Sequence, residues 1–302
     1  MSETAKNKFK SGYVAIIGQP NVGKSTLLNN FLHFKISSVT RKQQTTRHQV
    51  TGILNGDNYQ IIFLDTPGLL NPRYKLQEAM LQTAYRSLQE ADLTLYMVTA
   101  ASKPDDKDLQ QLQKISKLTQ NIFLIINKMD CIVKDRVLPL IDTYRNFETI
   151  KSIIPVSALK QDGLDDLKNE IVDALPVGFP FYDPEQITNH PERFIVSELI
   201  REKVFMHYSD EIPYATTVTV DDFVERGKKK DYIKATIYVE KNSQKKILIG
   251  KNGSALKRVG RDARQEIEKV LERQIFLELW VKVKEKWRQD EKLLREFGYF
   301  KS

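Results

Sequence analysis

Residues 18–25 read Gly18-Gln19-Pro20-Asn21-Val22-Gly23-Lys24-Ser25. The apolar run 13–17 leads straight into them, and an amphipathic stretch, 26–34, follows. This is the pattern G-x-x-x-x-G-K-S set between a strand and a helix. The glycines allow successive backbone N–H groups to curl around a phosphate held at the positive end of the following helix. Lys24 would neutralise the β- and γ-phosphates, and the Ser25 hydroxyl would ligate Mg²⁺, with Thr26 opening the helix behind them. A phosphate loop in this setting predicts an α/β domain whose sheet presents its strand ends to a nucleotide.

Working outward, the runs 50–54, 60–64, 93–98, 122–126 and 153–156 read as further strands, mostly buried on both faces. Helical periodicity between most of them implies βαβ units and a mostly parallel sheet with helices on both faces. This predicted P-loop domain covers residues 1–175. Pro176, Pro180, Pro184 and Pro191 then crowd into sixteen residues. Each proline lacks an N–H and restricts its predecessor, so 176–191 reads as a linker. Beyond it the order is helix (192–208), strands (216–223 and 232–240), two helical stretches around Gly250, a strand (275–283) and a short polar helix toward Phe297. That order predicts a separate α+β domain over 192–302.

Three more motifs stand where predicted strands end, which is where open α/β sheets bind ligands. Asp65-Thr66-Pro67-Gly68-Leu69 follows 60–64, placing a carboxylate for Mg²⁺ and a backbone N–H for a γ-phosphate. Asn127-Lys128-Met129-Asp130 follows 122–126. The Asp130 carboxylate can accept from both N1–H and the 2-amino group of guanine, a pair that adenine does not offer. Ser157-Ala158-Leu159 follows 153–156, with a backbone N–H for guanine O6. Together the four motifs imply GTP and GDP as ligands.

The whole chain has 302 residues, a net charge of +8 and one cysteine. One cysteine excludes a disulfide framework, and no apolar run approaches the ~20 residues that span a bilayer. The expectation is a soluble intracellular protein. Its charge is unevenly placed: from residue 226 to 264, thirteen Lys/Arg face only Asp231, Glu240 and Asp262. Inside this basic stretch lies Ile249-Gly250-Lys251-Asn252-Gly253. Gly-x-x-Gly between two helices permits close approach of a nucleic-acid backbone, and Lys251 supplies charge for phosphates. Lys257, Arg258, Arg261 and Arg264 would extend that track along the following helix, with Ile247, Leu248 and Ile249 packed under the loop. Trp280, in a strand pattern with Leu277 and Leu279, is expected in the core, and Trp287 packed on the sheet. Cys131 reads as a passive neighbour of Asp130, and the four histidines show no ligand spacing.

The first domain resembles translation-factor-class GTPases. On that resemblance Gln44-Thr45-Thr46-Arg47-His48 takes the place of the switch I motif, whose threonine closes over Mg²⁺; Thr46 is favoured, with Thr45 the alternative. The implied catalytic set is Asn21, Lys24, Thr46, Asp65 and Gly68, and the implied metal ligands are Ser25, Thr46 and Asp65. Ras-like enzymes carry a water-orienting glutamine where this chain has Leu69, so water positioning must come from elsewhere. Pro20-Asn21 resembles relatives in which the asparagine helps to hold K⁺.

The second domain resembles a type II KH module, which clamps about four nucleotides of single-stranded RNA. The pair, with Thr45–His48, Asp-Thr-Pro-Gly, Asn-Lys-Met-Asp, Gly-Lys-Asn-Gly and the ending Leu294-Arg295-Glu296-Phe297-Gly298-Tyr299, resembles the Era GTPase family over nearly the whole chain. The resemblance implies GTP hydrolysis, binding near the 3′ end of 16S rRNA, assembly of the 30S subunit, a monomer, a cytoplasmic location and peripheral contact with the inner face of the membrane. Ordering of residues 35–48 and 68–73 by the γ-phosphate and Mg²⁺ would then control the grip on RNA. Two rivals are an RNA-binding scaffold that nucleotide merely stabilises, and a membrane-associated signalling GTPase.

Overall fold

Strand β1 (Lys10–Gly18) is the centre of a six-stranded sheet, and Val14 to Ile17 are fully buried on both of its faces. The computed structural model describes residues 9–101, 106–133, 137–227 and 229–300. After β1 come α1 (Lys24–Leu32), β2 (Val50–Gly56), β3 (Tyr59–Asp65), α2 (Lys75–Glu90), β4 (Leu93–Thr99) and α3 (Asp106–Ser116). Then follow β5 (Ile122–Asn127), α4 (Val137–Tyr144), β6 (Ile150–Pro155) and α5 (Leu164–Ala174). The order across the sheet is β2-β3-β1-β4-β5-β6. All neighbours are parallel except β2, which forms an antiparallel hairpin with β3.

The continuous apolar strands are what a sheet covered on both faces requires. One face meets the second half of α2, where Ala84 and Leu88 pack with Ala15, Ile17, Leu124 and Ile126. The proline-rich stretch is strapped along this unit by borrowed hydrogen bonds, as its missing N–H groups demand. Buried Gln60 accepts from the Phe181 and Tyr182 amides (2.6 and 3.0 Å) and donates to the Tyr182 carbonyl (2.8 Å).

The chain divides into two compact units. The first comprises the described residues up to Ile36, then His48–Leu70 and Leu81–Asn189. The second comprises Ser37–Arg47, Asn71–Met80 and the described residues from His190 onward. Its elements are α6 (Glu192–His207), β7 (Thr217–Val224), β8 (Asp231–Val239), α7 (Asn242–Ile249), α8 (Ser254–Leu271), β9 (Ile275–Val283) and α9 (Glu291–Glu296). The sheet order is β7-β8-β9, antiparallel then parallel.

Helix α8 buries Val259, Ala263, Ile267 and Val270 at helical spacing, leaving its basic residues on the other face. Helix α6 also buries Glu198, Arg201, Glu202 and Lys203: the segment Ser37–Arg47 bonds to the first three, and Lys203 faces Glu266 of α8 at 3.5 Å. There Ser38 Oγ donates to the Glu198 carbonyl (3.2 Å), and the Val39 amide donates to Glu202 Oε1 (3.1 Å). Arg201 pairs with Glu198 and also donates to the Thr45 carbonyl. Arg47, almost fully buried, donates to the carbonyls of Thr216 (2.8 Å), Pro213 and Tyr214 (both 3.0 Å). The segment Asn71–Met80 is held by Lys75 Nζ to Glu291 Oε1 (2.8 Å) and by the Arg288 guanidinium 4.9 Å from the Tyr74 ring centre.

Trp287 is fully buried, donates to the Ala215 carbonyl (2.8 Å) and stacks on Tyr299. Trp280 corrects the expectation from sequence: it is 51% exposed. Strand alternation turns Ile275 and Val281 inward and Phe276 and Trp280 outward. Ile247 likewise stands in solvent, whereas Leu248 is buried.

Candidate nucleotide pocket and RNA cleft

In the first unit, the turn from β1 to α1 brings Gly18 to Ser25 against the ends of β3, β5 and β6. Gly23 stands at φ +106°, and a Cβ there would collide with Asn127 Nδ2, so only glycine serves. Asn127 fastens three motifs together: its Nδ2 donates to the Val22 carbonyl (2.8 Å), and its Oδ1 accepts from the Ala158 amide (2.9 Å). Lys128 Nζ donates to the Asn21 carbonyl (2.7 Å). Both residues occupy left-handed backbone, at φ 66° and 65°. Non-glycine residues held there store strain, which concentrates at functional sites.

Lys24 Nζ donates to the carbonyls of Gly18 (3.1 Å) and Gln19 (2.9 Å). Burial lowers its pKa to about 8, against the opposing pull of the Asp65 carboxylate. Ser25 Oγ donates to Asp65 Oδ2 at 2.7 Å. Thr66 Oγ1 donates to the Ile16 carbonyl (2.8 Å), pinning the segment after β3 to β1. The Leu69 amide donates to the Gly18 carbonyl (3.0 Å) while its side chain enters the core with Ile17 and Val98. At the base end, Ser157 Oγ donates to Asp130 Oδ1, and that bond holds the Asp130 carboxyl below its ordinary pKa. Leu159 is exposed, 70% by area.

The first unit therefore brings together the phosphate loop, Asp65, Asn127, Asp130, Ser157 and Ala158. Thr45 and Thr46 belong to the second unit, both largely buried. Two supports have no signature in the sequence: Gln19 Nε2 donates to Asp108 of α3, and Asn30 Nδ2 donates to the Ala158 carbonyl. Neither amide stands in a local pattern that names its partner.

In the second unit, a cleft of about 450 Å³ lies beside the Gly-x-x-Gly turn. Its walls include Gly253, Lys257, Arg261 and Arg264, with Leu277 and Leu279 from β9. Gly253 stands at φ +75° with open space where a Cβ would be. Lys251 and Asn252 are exposed at the tip of the turn. Arg258 is exposed too, but it is not among the cleft walls. The apolar half of this cleft escaped sequence reading, because Leu277 and Leu279 alternate as core residues would. A cation-edged slot with an apolar wall suits flat bases threaded on a phosphate chain.

Family models match both units: a 50S ribosome-binding GTPase over residues 13–128 and a KH domain over residues 211–288. GTPase Era of Ruminiclostridium cellulolyticum is 45% identical over 291 residues, covering 96% of this chain and 98% of that protein. GTPase Era of Geobacter metallireducens is 47% identical over 298 residues, 97% of this chain and 99% of the relative. The chain belongs to the Era GTPase family. It is thus a GTPase, an α/β GTP-binding domain joined to a KH domain. Two solved Era structures agree, each at 41% identity and TM-score 0.93 over 96% of this chain and 99% of theirs. One is a tyrosine-to-alanine variant from Aquifex aeolicus bound to GDP and aluminium fluoride; the other is Era with MgGDPNP and nucleotides 1506–1542 of 16S ribosomal RNA. Guanine nucleotide as the ligand of the pocket follows from membership.

Proposed function

We propose that this Era-family GTPase is a switch that clamps the 3′ end region of 16S rRNA in the KH cleft and assists assembly of the small ribosomal subunit in the cytoplasm, acting as a monomer. The observation that carries the reading is the basic cleft beside Gly253, present in the same chain as the guanine pocket. Phosphates would be met by Lys251, Asn252, Lys257 and Arg261 and by the backbone between Ile249 and Gly253, with Arg258 at the margin; bases would lie against Leu277 and Leu279.

In the nucleotide pocket, residues 18–26 would cradle the phosphates, with the Gly68 amide directed at the γ-phosphate. Asn127, Lys128, Met129 and Asp130, with Ser157, Ala158 and Leu159, would surround guanine, and Thr66 and Pro67 would set the turn at Gly68. The Ser25 hydroxyl and Asp65 carboxylate, 2.7 Å apart, are the hard oxygen donors that Mg²⁺ prefers, and they fit it. Thr46 would complete the set. When bound, Mg²⁺ neutralises charge developing on the phosphates. Asn21 would hold K⁺ beside them; equal hydrolysis rates in KCl and NaCl would contradict that role. The core position of the Leu69 side chain supports a water-orienting group supplied from elsewhere.

Crosslinking in cells followed by sequencing of the bound RNA tests the reading. Enrichment of the 16S 3′ end is expected, and crosslinks scattered over unrelated RNA would contradict it. A weak peripheral contact with the membrane rests on family resemblance, and vesicle flotation with and without competing RNA tests it.

A further inference from the structure

Tyr208 follows α6 and makes two kinds of bond, one through its side chain and one through its main chain. Its hydroxyl donates to the Leu248 carbonyl at 2.6 Å. Leu248 lies in the last turn of α7, two residues before Gly250, where helix carbonyls lack an intrahelical partner. The Tyr208 hydroxyl therefore caps the helix that carries the Gly-x-x-Gly turn. The Tyr208 carbonyl accepts from Lys42 Nζ, which also donates to the Phe205 carbonyl (2.5 Å). A lysine ammonium across the C-terminal carbonyls of α6 is favoured by the helix dipole as well. Lys42 is itself fixed in its segment: its amide donates to Thr40 Oγ1 (3.1 Å), and its carbonyl accepts from Thr45 Oγ1 (2.8 Å). The line from the turn at residues 250–253 to the Thr45-Thr46 pair thus runs Leu248, Tyr208, Lys42, Thr45. Tyr208 and Leu248 are buried, so the bond between them is shielded from competing water.

We propose that Tyr208 is a positioning residue for GTP hydrolysis, coupling phosphate capture at residues 250–253 to the arrangement of Ser37–Arg47. The inference rests on the reading of the cleft as an RNA site and of residues 35–48 as the segment that closes over nucleotide. A phosphate chain drawn onto residues 250–253 shifts the end of α7. The Tyr208 hydroxyl follows the Leu248 carbonyl, and the end of α6 carries Lys42 with it. By linkage, whatever factor RNA applies to nucleotide affinity, nucleotide applies to RNA affinity; the rate of hydrolysis carries no such reciprocity.

The test is single-turnover GTP hydrolysis by the full-length protein, with and without an RNA spanning nucleotides 1506–1542 of 16S rRNA. Tyr208→Phe keeps the ring and the carbonyl and deletes only the hydroxyl. Its RNA-free rate and its RNA affinity with GDP are expected within about twofold of the wild type, while the change in rate on adding RNA falls to near none. Lys42→Met is expected to lose the same RNA response, and the double variant to lose no more than either single one, since both cut one line. A full RNA response in Tyr208→Phe overturns the proposal, as does a wild type that binds this RNA with no change in hydrolysis. A wild type that does not bind it at all overturns the RNA reading itself.

Discussion

Ser157 Oγ donates to Asp130 Oδ1 at 2.5 Å, locking the loop after β5 to the loop after β6 at the base end of the pocket. The bond leaves Asp130 Oδ2 on the outer side of the carboxylate, next to the Cys131 thiol at 3.5 Å. Asp130→Asn replaces a charged acceptor with a neutral amide. Losing a hydrogen bond to a charged group costs about 1.5–3 kcal/mol, so GTP affinity should fall about 10- to 100-fold with little change for ATP. Competition binding measures it, and unchanged GTP-over-ATP selectivity would refute the assignment of Asp130 to guanine.

Lys24 gives the pocket a pH dependence of definite sign. Its pKa in the folded protein is about 8, below the ordinary 10.5. The folded state therefore binds this proton less tightly than the unfolded chain does. Between about pH 8 and 10.5 the nucleotide-free protein gains stability from this group as pH rises, and below pH 8 the cost of its buried charge is fully present. Bound phosphate favours the charged form, so GDP affinity should fall as pH rises above 8, by up to about tenfold per unit. Titration calorimetry in two buffers at pH 8.5 should detect proton uptake on binding. Lys24→Met should bind weakly and without this pH dependence; a wild type that also shows none would contradict the account.

Gly253→Asp should weaken RNA binding by at least about tenfold while leaving RNA-free hydrolysis nearly intact. A Cβ at this position meets no neighbouring atom, so the effect comes from charge repulsion at the phosphate track and from the backbone at φ +75°. Gly253→Ala carries only the backbone part and should lose less. Equal losses in the two variants would remove the electrostatic part of the argument.

RNA affinity should fall with salt at a log–log slope of roughly −0.7 per phosphate contacted. Filter binding between low and physiological salt gives the slope. A flat response would be incompatible with a backbone clamp built on Lys251, Lys257 and Arg261.

Arg47 anchors Ser37–Arg47 through three carbonyls and lies over the Phe205 ring, 5.4 Å from its centre. Arg47→Met would remove a donor from all three; the Pro213 carbonyl keeps the Thr216 amide (3.3 Å), and each carbonyl left buried with no donor costs about 1–3 kcal/mol, to which the loss of packing on Phe205 adds. Chemical denaturation should show a loss of about 3 kcal/mol or more, and a stability change below about 0.5 kcal/mol would deny the anchor its structural role.

Much of this was legible in the sequence, for a physical reason. A phosphate loop needs its glycines and Lys24 in contiguous order, and a buried parallel strand needs unbroken apolar residues, so β1, β3 and β5 announce both themselves and the motifs at their ends. The association of Ser37–Arg47 with α6 was hidden. It depends on Arg47 and Arg201 meeting carbonyls far away in the chain, and an arginine in a polar stretch reads as solvated surface. Trp280 misleads because strand alternation puts it on the opposite face from Leu277, Leu279 and Val281, where it is exposed, whereas Trp287, with weaker flanks, is buried.

The measurement that bears most directly on the central claim is RNA affinity with GDP and with a non-hydrolysable GTP analogue, using nucleotides 1506–1542 of 16S rRNA. A switch predicts affinities that differ about fivefold or more between the two nucleotides. Equal affinities, with hydrolysis indifferent to RNA, would contradict it and leave an RNA-binding scaffold that nucleotide merely stabilises.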